Sequence, residues 1–533
     1  MKPNLTSALL AFSETEALGH IDHIIIGSGV GGLTCANILA KAGRKVLVLE
    51  QHTVAGGLSH TFERKGGFVW DVGLHYVGQM QSKGSILRTL FDYVTDGKLQ
   101  WASMGDIYDR ICIGGKEYFF SRPPEKLIAD LKIKFPEEAQ AIDAYFDLIR
   151  KTTGSAKLFF IEKAFPPLLS KLIGNFFRSP FLKIASKTTS EICSSLTQNP
   201  ELRAVLCSQF GNYGLAPQES SFGMHAVVVN HYMEGGFYPV GGSGQIAKFM
   251  VEALGKKGGR VRTKAKVSKI RLEKGRVAGV EIGGFFIPCK SVISNVGAQQ
   301  TFSQLVSPHS LNPKLVSIPP SMAHFGLYLG FDASAQELQL PLYNTWYYSD
   351  SNLDEIARES HASATTPLRF AYFSFPSAKD PLAANILPNK ATLEGIGMAN
   401  YAWFKPFESQ ARHKRGNSYA ELKANFQSKM LEKIEQLWPQ TKGHIAVCEV
   451  STPLSTKYYM NNAQGEMYGL AHSPDRFKIK ELRPQTKIKG LTLTGQDVMT
   501  GGIGSALMSG LLAAASILKF RIALRFREMY RKT

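Results

Sequence analysis

Cysteine is scarce in this chain, six in 533 residues, and Cys35, Cys112, Cys193, Cys207, Cys289 and Cys448 never fall into a CxxC spacing. That argues against a zinc ribbon, so no metal site is expected, and against a dense disulfide framework; it points to a reducing compartment. The first twenty residues lack a basic start followed by an apolar run and carry Glu14 and Glu16 instead, so no secretory signal is read and a cytoplasmic location is expected. Long uncharged stretches are nearly absent. The one candidate, residues 498–518, contains four glycines and follows Asp497 directly, which reads as a buried helix after a turn rather than a membrane span. Acidic residues are outnumbered, 43 against 62 basic ones, for a formal charge of +19. Such an excess suits nucleic acid, anionic lipid or an acidic protein, and with no nucleic-acid-binding module beside it, nucleic acid is set aside. Internal repeats and low-complexity tracts are lacking too. What remains, with 44% hydrophobic and 20% charged residues, is the composition of a folded enzyme-sized α/β protein.

The segment 23–50 carries the first motif. An apolar run, Ile24-Ile25-Ile26, leads into Gly27-Ser28-Gly29-Val30-Gly31-Gly32 and then into a helical pattern through Leu33, Ala36, Ile38 and Leu39. This is a GxGxxG between strand and helix. Gly27 permits the turn, Gly29 lets backbone approach a pyrophosphate, Gly32 lets helix and sheet pack closely, and the anion rests on the helix N-terminus. A second strand, Lys45-Val46-Leu47-Val48-Leu49, ends in Glu50, where a ribose-binding carboxylate belongs. The pattern predicts dinucleotide binding.

The sequel separates FAD from NAD. Ala55-Gly56-Gly57 follows Glu50 and Gln51, then Asp71-Val72-Gly73, and the run resembles the glutathione-reductase-type FAD fold in its amine-oxidase and phytoene-desaturase branch. At the far end Leu491-Thr492-Leu493-Thr494-Gly495-Gln496-Asp497 and Thr500-Gly501-Gly502-Ile503-Gly504 repeat the order of strand, acid, glycines and helix. The resemblance implies that Gly495, Asp497 and Gly504 serve the ribityl and flavin end. It also implies that the backbone of Val267, in the strand after Gly235-Gly236-Phe237-Tyr238-Pro239-Val240-Gly241-Gly242-Ser243-Gly244, contacts adenine. NAD(P)H is an electron-donor candidate, but the Gly241 loop lacks an incoming strand and an acid after the next strand, so no clear second dinucleotide site is read.

Several strings narrow the likeness: Glu50-Gln51-His52-Thr53, Gly73-Leu74-His75-Tyr76-Val77-Gly78, Ser377-Ala378-Lys379-Asp380-Pro381 and Thr494-Gly495-Gln496-Asp497. They resemble the retinol saturase and carotenoid isomerase group of phytoene-desaturase-like flavoproteins, in patches from about residue 20 to 515. Leu58-Ser59-His60 departs from that group, whose retinol saturases tend to carry cysteines there. The resemblance implies an FAD-dependent oxidoreductase acting on carbon–carbon double bonds of a lipophilic polyene, retinoid or carotenoid-like, with an unidentified redox partner. Carotenoid cis–trans isomerisation and phytoene-type desaturation on the same scaffold are the alternatives. A non-catalytic flavin-bound membrane adaptor is the reading from a different class.

The expected architecture is a Rossmann FAD-binding domain built discontinuously from residues 20–80, 235–300 and 482–518, with an inserted α+β substrate domain from 81–234 and 301–481. Strands are expected at Ala323–Phe331, 370–375 and Ala391–Ala399, where β-branched, aromatic and small apolar residues recur between turn signals. The FAD-binding residues are expected to be Gly27, Ser28, Gly29, Val30, Gly31, Gly32, Glu50, Gln51, Gly56, Gly57, Val267, Gly495, Asp497 and Gly504. A polyene has almost no polar handles, so its tunnel should be aromatic and aliphatic with few acid/base groups. His75, next to the segment 71–73, is the first candidate proton donor, ahead of His225 and His231, with Tyr76 and Tyr232 as neighbours. Residues 157–187 alternate apolar blocks with Lys157, Lys163, Lys171, Arg178, Lys183 and Lys187, and the basic tail 519–533 does so with Lys519, Arg521, Arg525, Arg527, Arg531 and Lys532. Both read as peripheral contacts with anionic lipid.

Overall fold

The runs His23–Ile26 and Val46–Leu49 are apolar at nearly every position rather than at alternate ones, the pattern of strands covered on both faces. In the computed structural model, which describes residues 8–306 and 313–531, both sit inside a six-stranded parallel sheet. Its order is Leu9–Ala11, Arg260–Thr263, Val46–Leu49, His23–Ile26, Ser291–Ser294 and Leu491–Leu493. Ile25, Val46 and Val48 point to one face, where the helices Val30–Lys41, Ile86–Thr95, Gly244–Gly255 and Ile503–Leu518 share a core with them. Ile24, Ile26, Leu47 and Leu49 point to the other. There they pack against a three-stranded antiparallel meander, Val267–Glu273, Arg276–Ile282 and Phe285–Pro288.

A second sheet has seven strands in the order Ile445–Ser451, Ala323–Phe331, Ala391–Ala399, Phe370–Ser374, Asn344–Tyr348, Ile107–Ile113 and Lys116–Ser121. Only the pairing of Asn344–Tyr348 with Ile107–Ile113 is parallel. Two of the three strands expected here have the expected bounds, and the third ends at Ser374. Against this sheet lies a helical layer in which Ala139–Glu162 packs on Pro167–Ala185 and Phe222–Tyr232.

Three boundaries differ from the sequence reading. Leu9–Ala11 adds an edge strand to the parallel sheet before residue 20. The helix Ile86–Thr95, read as part of the inserted domain, buries Leu87, Leu90, Phe91 and Val94 against the parallel-sheet helices, because its apolar face matches theirs. The C-terminal segment is less a tail than a helix, Ile522–Arg531, docked on Ile86–Thr95. Its Met529 is buried, and Arg525 donates to the Lys41 carbonyl and pairs with Glu528. Lys532 lies outside the described residues. No helix among the described residues is long and apolar enough to cross a membrane, and the uncharged stretch from 498 forms the largely buried helix Ile503–Leu518.

Candidate active site

The parallel sheet brings the two glycine motifs to one end. Gly27 turns the chain with φ +93° out of His23–Ile26, and the helix Val30–Lys41 starts at Gly29. No side chain caps that helix and no acid stands in its first turn, although Val30, Gly31 and Gly32 are buried. A buried helix start without such partners is arranged for an anion from outside the chain. The loop carrying Gly56 and Gly57 folds over it. A Cβ on Gly57 would stand 3.1 Å from the Cα of Gly29, so a side chain at 57 would fill the cradle. Glu50 reaches the same place: Oε2 accepts from the backbone N–H of Ser28 at 2.9 Å and its hydroxyl at 2.6 Å, and Oε1 accepts from the N–H of His52. Ser28 Oγ in turn accepts from the N–H of Gly56. An uncapped buried helix start, a glycine cradle and an acid at its rim suit a dinucleotide such as FAD.

Asn295, which follows the strand Ser291–Ser294, is the junction between the motifs. A Cβ on Gly29, Gly31 or Gly495 would meet its carboxamide at 2.8–2.9 Å, so these glycines leave room for one side chain. Gly495, at φ +97°, donates to Ser509 Oγ. Asp497 accepts from the N–H groups of Ala298 and Leu470, tying three segments together. Gly502, at φ +93°, opens the helix Ile503–Leu518, again without a capping side chain, and Gly504 packs near Leu87. The approach to this helix is held by His472, which accepts from Gly501, and by buried Arg476, which donates to the carbonyls of Leu470 and Gln496. Neither residue stood out in the sequence. Val267 begins the strand that leaves beside Glu50, where the N–H of Ala265 donates to the Glu50 carbonyl. Gln51 turns away and donates to the Tyr459 carbonyl.

A partly open cavity lies between this end of the parallel sheet and the seven-stranded sheet. Leu58, Val72 and Gly73 line it from one side; Trp346, Phe370 and Ile396 line it from the other. Most of the wall is apolar. His75, His324 and Tyr372 interrupt it, and His75 Nδ1, His324 Nδ1 and the Tyr372 hydroxyl are buried with no hydrogen-bond partner. Burial pushes the His75 pKa down to about 3 and that of His324 to about 4, so both rings are neutral at pH 7.

Behind His75 the wall is highly polar. Lys379, 3% exposed, donates to the His75 carbonyl, Asn344 Oδ1 and Ser374 Oγ at 2.6–2.9 Å. Asp71 accepts from the N–H of Ser243 and the hydroxyl of Tyr238, and its own N–H donates to Glu394 Oε1 at 2.7 Å. Burial pushes the Asp71 carboxyl up to about 6. Lys379 and Glu394 were not read as site residues. Lys379 stood inside a quoted string, and Glu394 is the one charged residue of the strand Ala391–Ala399.

The other candidate donors lie elsewhere. His225 is a satisfied core histidine, with Nε2 2.7 Å from the Tyr145 hydroxyl and Nδ1 3.1 Å from that of Tyr213. His231 Nε2 accepts from Gly78 N–H. Tyr76 and Tyr232 stack at 4.0 Å, and the Tyr76 hydroxyl donates to buried Asp109. Both ring nitrogens of His225 are engaged by hydroxyls of the packed aromatic layer, His231 is held by the Gly78 backbone, and neither ring lines the cavity.

Comparison with known proteins places the arrangement. Residues 30–381 match the flavin containing amine oxidoreductase family. The all-trans-retinol 13,14-reductase of Homo sapiens is 35% identical, in an alignment covering 96% of this chain and 87% of that one. A protein of Danio rerio named inactive all-trans-retinol 13,14-reductase is 32% identical over 95% of this chain and 87% of its own. Among solved structures, cyclohexylamine oxidase from Brevibacterium oxydans superposes with a TM-score of 0.61 at 15% identity, covering 94% of this chain and 99% of that one.

Proposed function

The chain belongs to the flavin-containing amine oxidoreductases and is an FAD-dependent oxidoreductase, and from that premise we propose that it adds hydrogen across a carbon–carbon double bond of a retinoid-like polyene. The observation that carries this reading is the cavity: a mostly apolar space between the glycine-rich end of the parallel sheet and the second sheet, with only a few polar residues, none of them a carboxylate, lysine or arginine, in its lining. An apolar wall suits a hydrocarbon chain, and a neutral imidazole avoids burying an unpaired charge beside it.

In this reading the parallel sheet and its helices are a glutathione-reductase-type FAD domain assembled from separated segments, and the seven-stranded sheet with its helical layer is the substrate domain. The loop 27–32 and the start of Val30–Lys41 hold the pyrophosphate, Glu50 the adenosine ribose, Val267 the adenine, and Gly495, Asp497 and Gly504 the flavin end. Bound FAD supplies hydride chemistry. The chain's part is to orient the double bond, exclude water and deliver a proton, with His75 as the group at the substrate.

The substrate is also expected to arrive from a lipid surface. Leu168, Leu172 and Phe176 are each more than 70% exposed and lie four residues apart on Pro167–Ala185, so they form one stripe. Lys157, Lys171, Lys183 and Lys187 are exposed around it. Lys163 and Arg178, expected at the lipid, point inward instead: Lys163 donates to the carbonyls of Leu482 and Val498, and Arg178 pairs with buried Glu162 at 2.7 Å. Four basic residues therefore accompany the stripe rather than six. Apolar side chains dipping into the lipid boundary beside lysines at the headgroups is the arrangement of a monotopic contact.

A second reading, a flavin-bound protein without turnover, is favoured by the Danio rerio relative named inactive, which aligns along 95% of this chain. One experiment separates the readings. The FAD-loaded protein is reduced anaerobically and mixed with all-trans-retinol and a panel of other polyenes, while flavin absorbance and product mass are followed. A product heavier by two hydrogens is expected, with reoxidation of the flavin. A product of unchanged mass would mean isomerisation, one lighter by two hydrogens from the oxidised enzyme desaturation, and no reaction on any polyene the non-catalytic reading.

A further inference from the structure

Reducing a double bond requires a proton as well as a hydride, and His75 is no acid at neutral pH, since burial, with Lys379 behind it, keeps the ring unprotonated. A donor must stand behind it. Glu394 Oε2 lies 2.9 Å from His75 Nδ1, off the axis of a straight hydrogen bond, and neither atom has another partner. The carboxyl group is 1% exposed, while the His75 ring, 13% exposed, lines the cavity.

We propose that Glu394 is the proton store of this cavity, a neutral carboxyl group that acts on the substrate through His75. The O–H bond of Glu394 breaks as an N–H bond forms at Nδ1; the N–H bond at Nε2 breaks as a C–H bond forms at the substrate carbon. Bound, reduced FAD would supply the hydride for the neighbouring carbon, so that the double bond gains one hydride and one proton while Glu394 is left as a carboxylate. After the product leaves, a proton from water taken up at Nε2 returns the Nδ1 proton to Glu394. A two-electron donor re-reduces the flavin. The inference rests on reading the cavity as a polyene site.

The groups around Glu394 favour its neutral form. Burial raises its pKa to about 8, against the opposing pull of the Asp71 N–H and the charge of Lys379. Asp71, on the strand Phe68–Asp71, and Lys379, at the end of Pro376–Lys379, supply one anion and one cation, so a second anion at 394 would be uncompensated. Tyr328, opposite Glu394 on the neighbouring strand, and Tyr372 both stay phenols, because burial raises their pKa. Tyr238 donates to Asp71 and is likewise held neutral, as is His324 beyond His75.

The test uses E394Q, which keeps the shape and the acceptor for the Asp71 N–H, and E394D, which keeps an acid one methylene further back. Infrared difference spectra of the FAD-loaded protein without substrate, wild type minus E394Q, should show at pH 7 a protonated-carboxyl carbonyl band that disappears above about pH 8; the subtraction removes the band of buried Asp109, whose pKa burial raises to about 7. In deuterium oxide the reduced wild type should place solvent deuterium on one face of one carbon of all-trans-retinol. E394Q should slow flavin reoxidation by about 10²–10⁴-fold and lose that facial selectivity, while its flavin still reduces normally with dithionite. E394D should recover the band and part of the rate. Absence of the band from the wild type, or wild-type reoxidation and selectivity in E394Q, overturns the proposal. Should E394Q fail to fold, a shift of the band between the wild type and E394D decides, since Asp109 contributes alike to both. A wild type that oxidises on no polyene sinks the substrate reading instead, and the infrared band still decides whether Glu394 holds the proton.

Discussion

Gly510 packs directly on Gly31: a Cβ at 510 would lie 2.4 Å from the Gly31 carbonyl oxygen and 2.6 Å from the Cβ of Thr34. The helix that closes the C-terminal motif thus touches, backbone to backbone, the helix that opens the N-terminal one.

That contact makes the first prediction. In an unconstrained helix Gly→Ala gains about 1 kcal/mol of stability. G510A should lose stability by about 1–3 kcal/mol, because the obstructing atoms belong to a neighbouring backbone rather than to a side chain that can swing away. Urea unfolding of the FAD-loaded protein measures it. FAD retention should fall together with stability, since the shifted helices carry both anchoring motifs.

Glu50 makes the second. Its carboxylate is held at the rim of the glycine cradle by Ser28 and the His52 N–H, poised for the hydroxyls of a ribose. Charge-assisted hydrogen bonds are worth about 1.5–3 kcal/mol, so E50A should weaken FAD binding by about 10–100-fold. Equilibrium dialysis of the apoprotein with FAD reads the change. Unaltered affinity would remove Glu50 from the site.

The parts of this site that could be read from the sequence are those where backbone conformation dictates residue type. Gly27, Gly29 and Gly57 stand where a Cβ would strain the turn or crowd Asn295 and the opposite loop, so a pattern of glycines betrays them. The strands Ala323–Phe331 and Ala391–Ala399 were legible because they are buried end to end. The polar wall of the cavity was not. Lys379, Glu394 and His324 come from one short helix and two strands of the second sheet, and the pairing of Ala391–Ala399 with Ala323–Phe331 on one side and with Phe370–Ser374, which leads into Pro376–Lys379, on the other brings them around His75. The inward turn of Lys163 and Arg178 was equally hidden. A periodic basic and apolar pattern is the same whether the base meets solvent or a buried carboxylate such as Glu162.

The exposed stripe on Pro167–Ala185 makes the third prediction. Replacing Leu172 and Phe176 by Asp removes two side chains from the lipid boundary, each contributing about 1.5–3 kcal/mol when fully buried. L172D/F176D should lower affinity for phosphatidylserine-containing vesicles by about 100-fold or more in co-sedimentation. Stability should stay unchanged, because both side chains already face water. A variant that binds vesicles like the wild type shows that lipid is met elsewhere.

The fourth prediction concerns stability against pH. Glu394 has a folded-state pKa raised to about 8 from the ordinary 4.5 of a glutamate, chiefly by burial. Below about pH 4.5 the carboxyl is protonated in both the folded and the unfolded chain. Between that pH and about 8 only the folded chain keeps the proton, so unfolding releases it and the stability contributed by the neutral carboxyl is lost as pH rises. The buried histidines slope the other way: the pKa of His75 is depressed, so its contribution is present above about pH 6.5 and is lost as pH falls toward 3. Raw stability curves therefore mix the two. The difference between wild type and E394Q removes the shared histidine term; Asp71, raised by burial to about 6, and Lys379, lowered by burial to about 8 and sensitive to a Glu394 carboxylate, add remainders near their own pKa values. Wild-type stability relative to E394Q should fall across this window by at most about 1.4 kcal/mol per pH unit and level off above pH 8. Paired urea unfolding series at steps of pH measure it. A difference that stays flat would mean that Glu394 is already ionised in the folded protein and holds no proton to pass to His75.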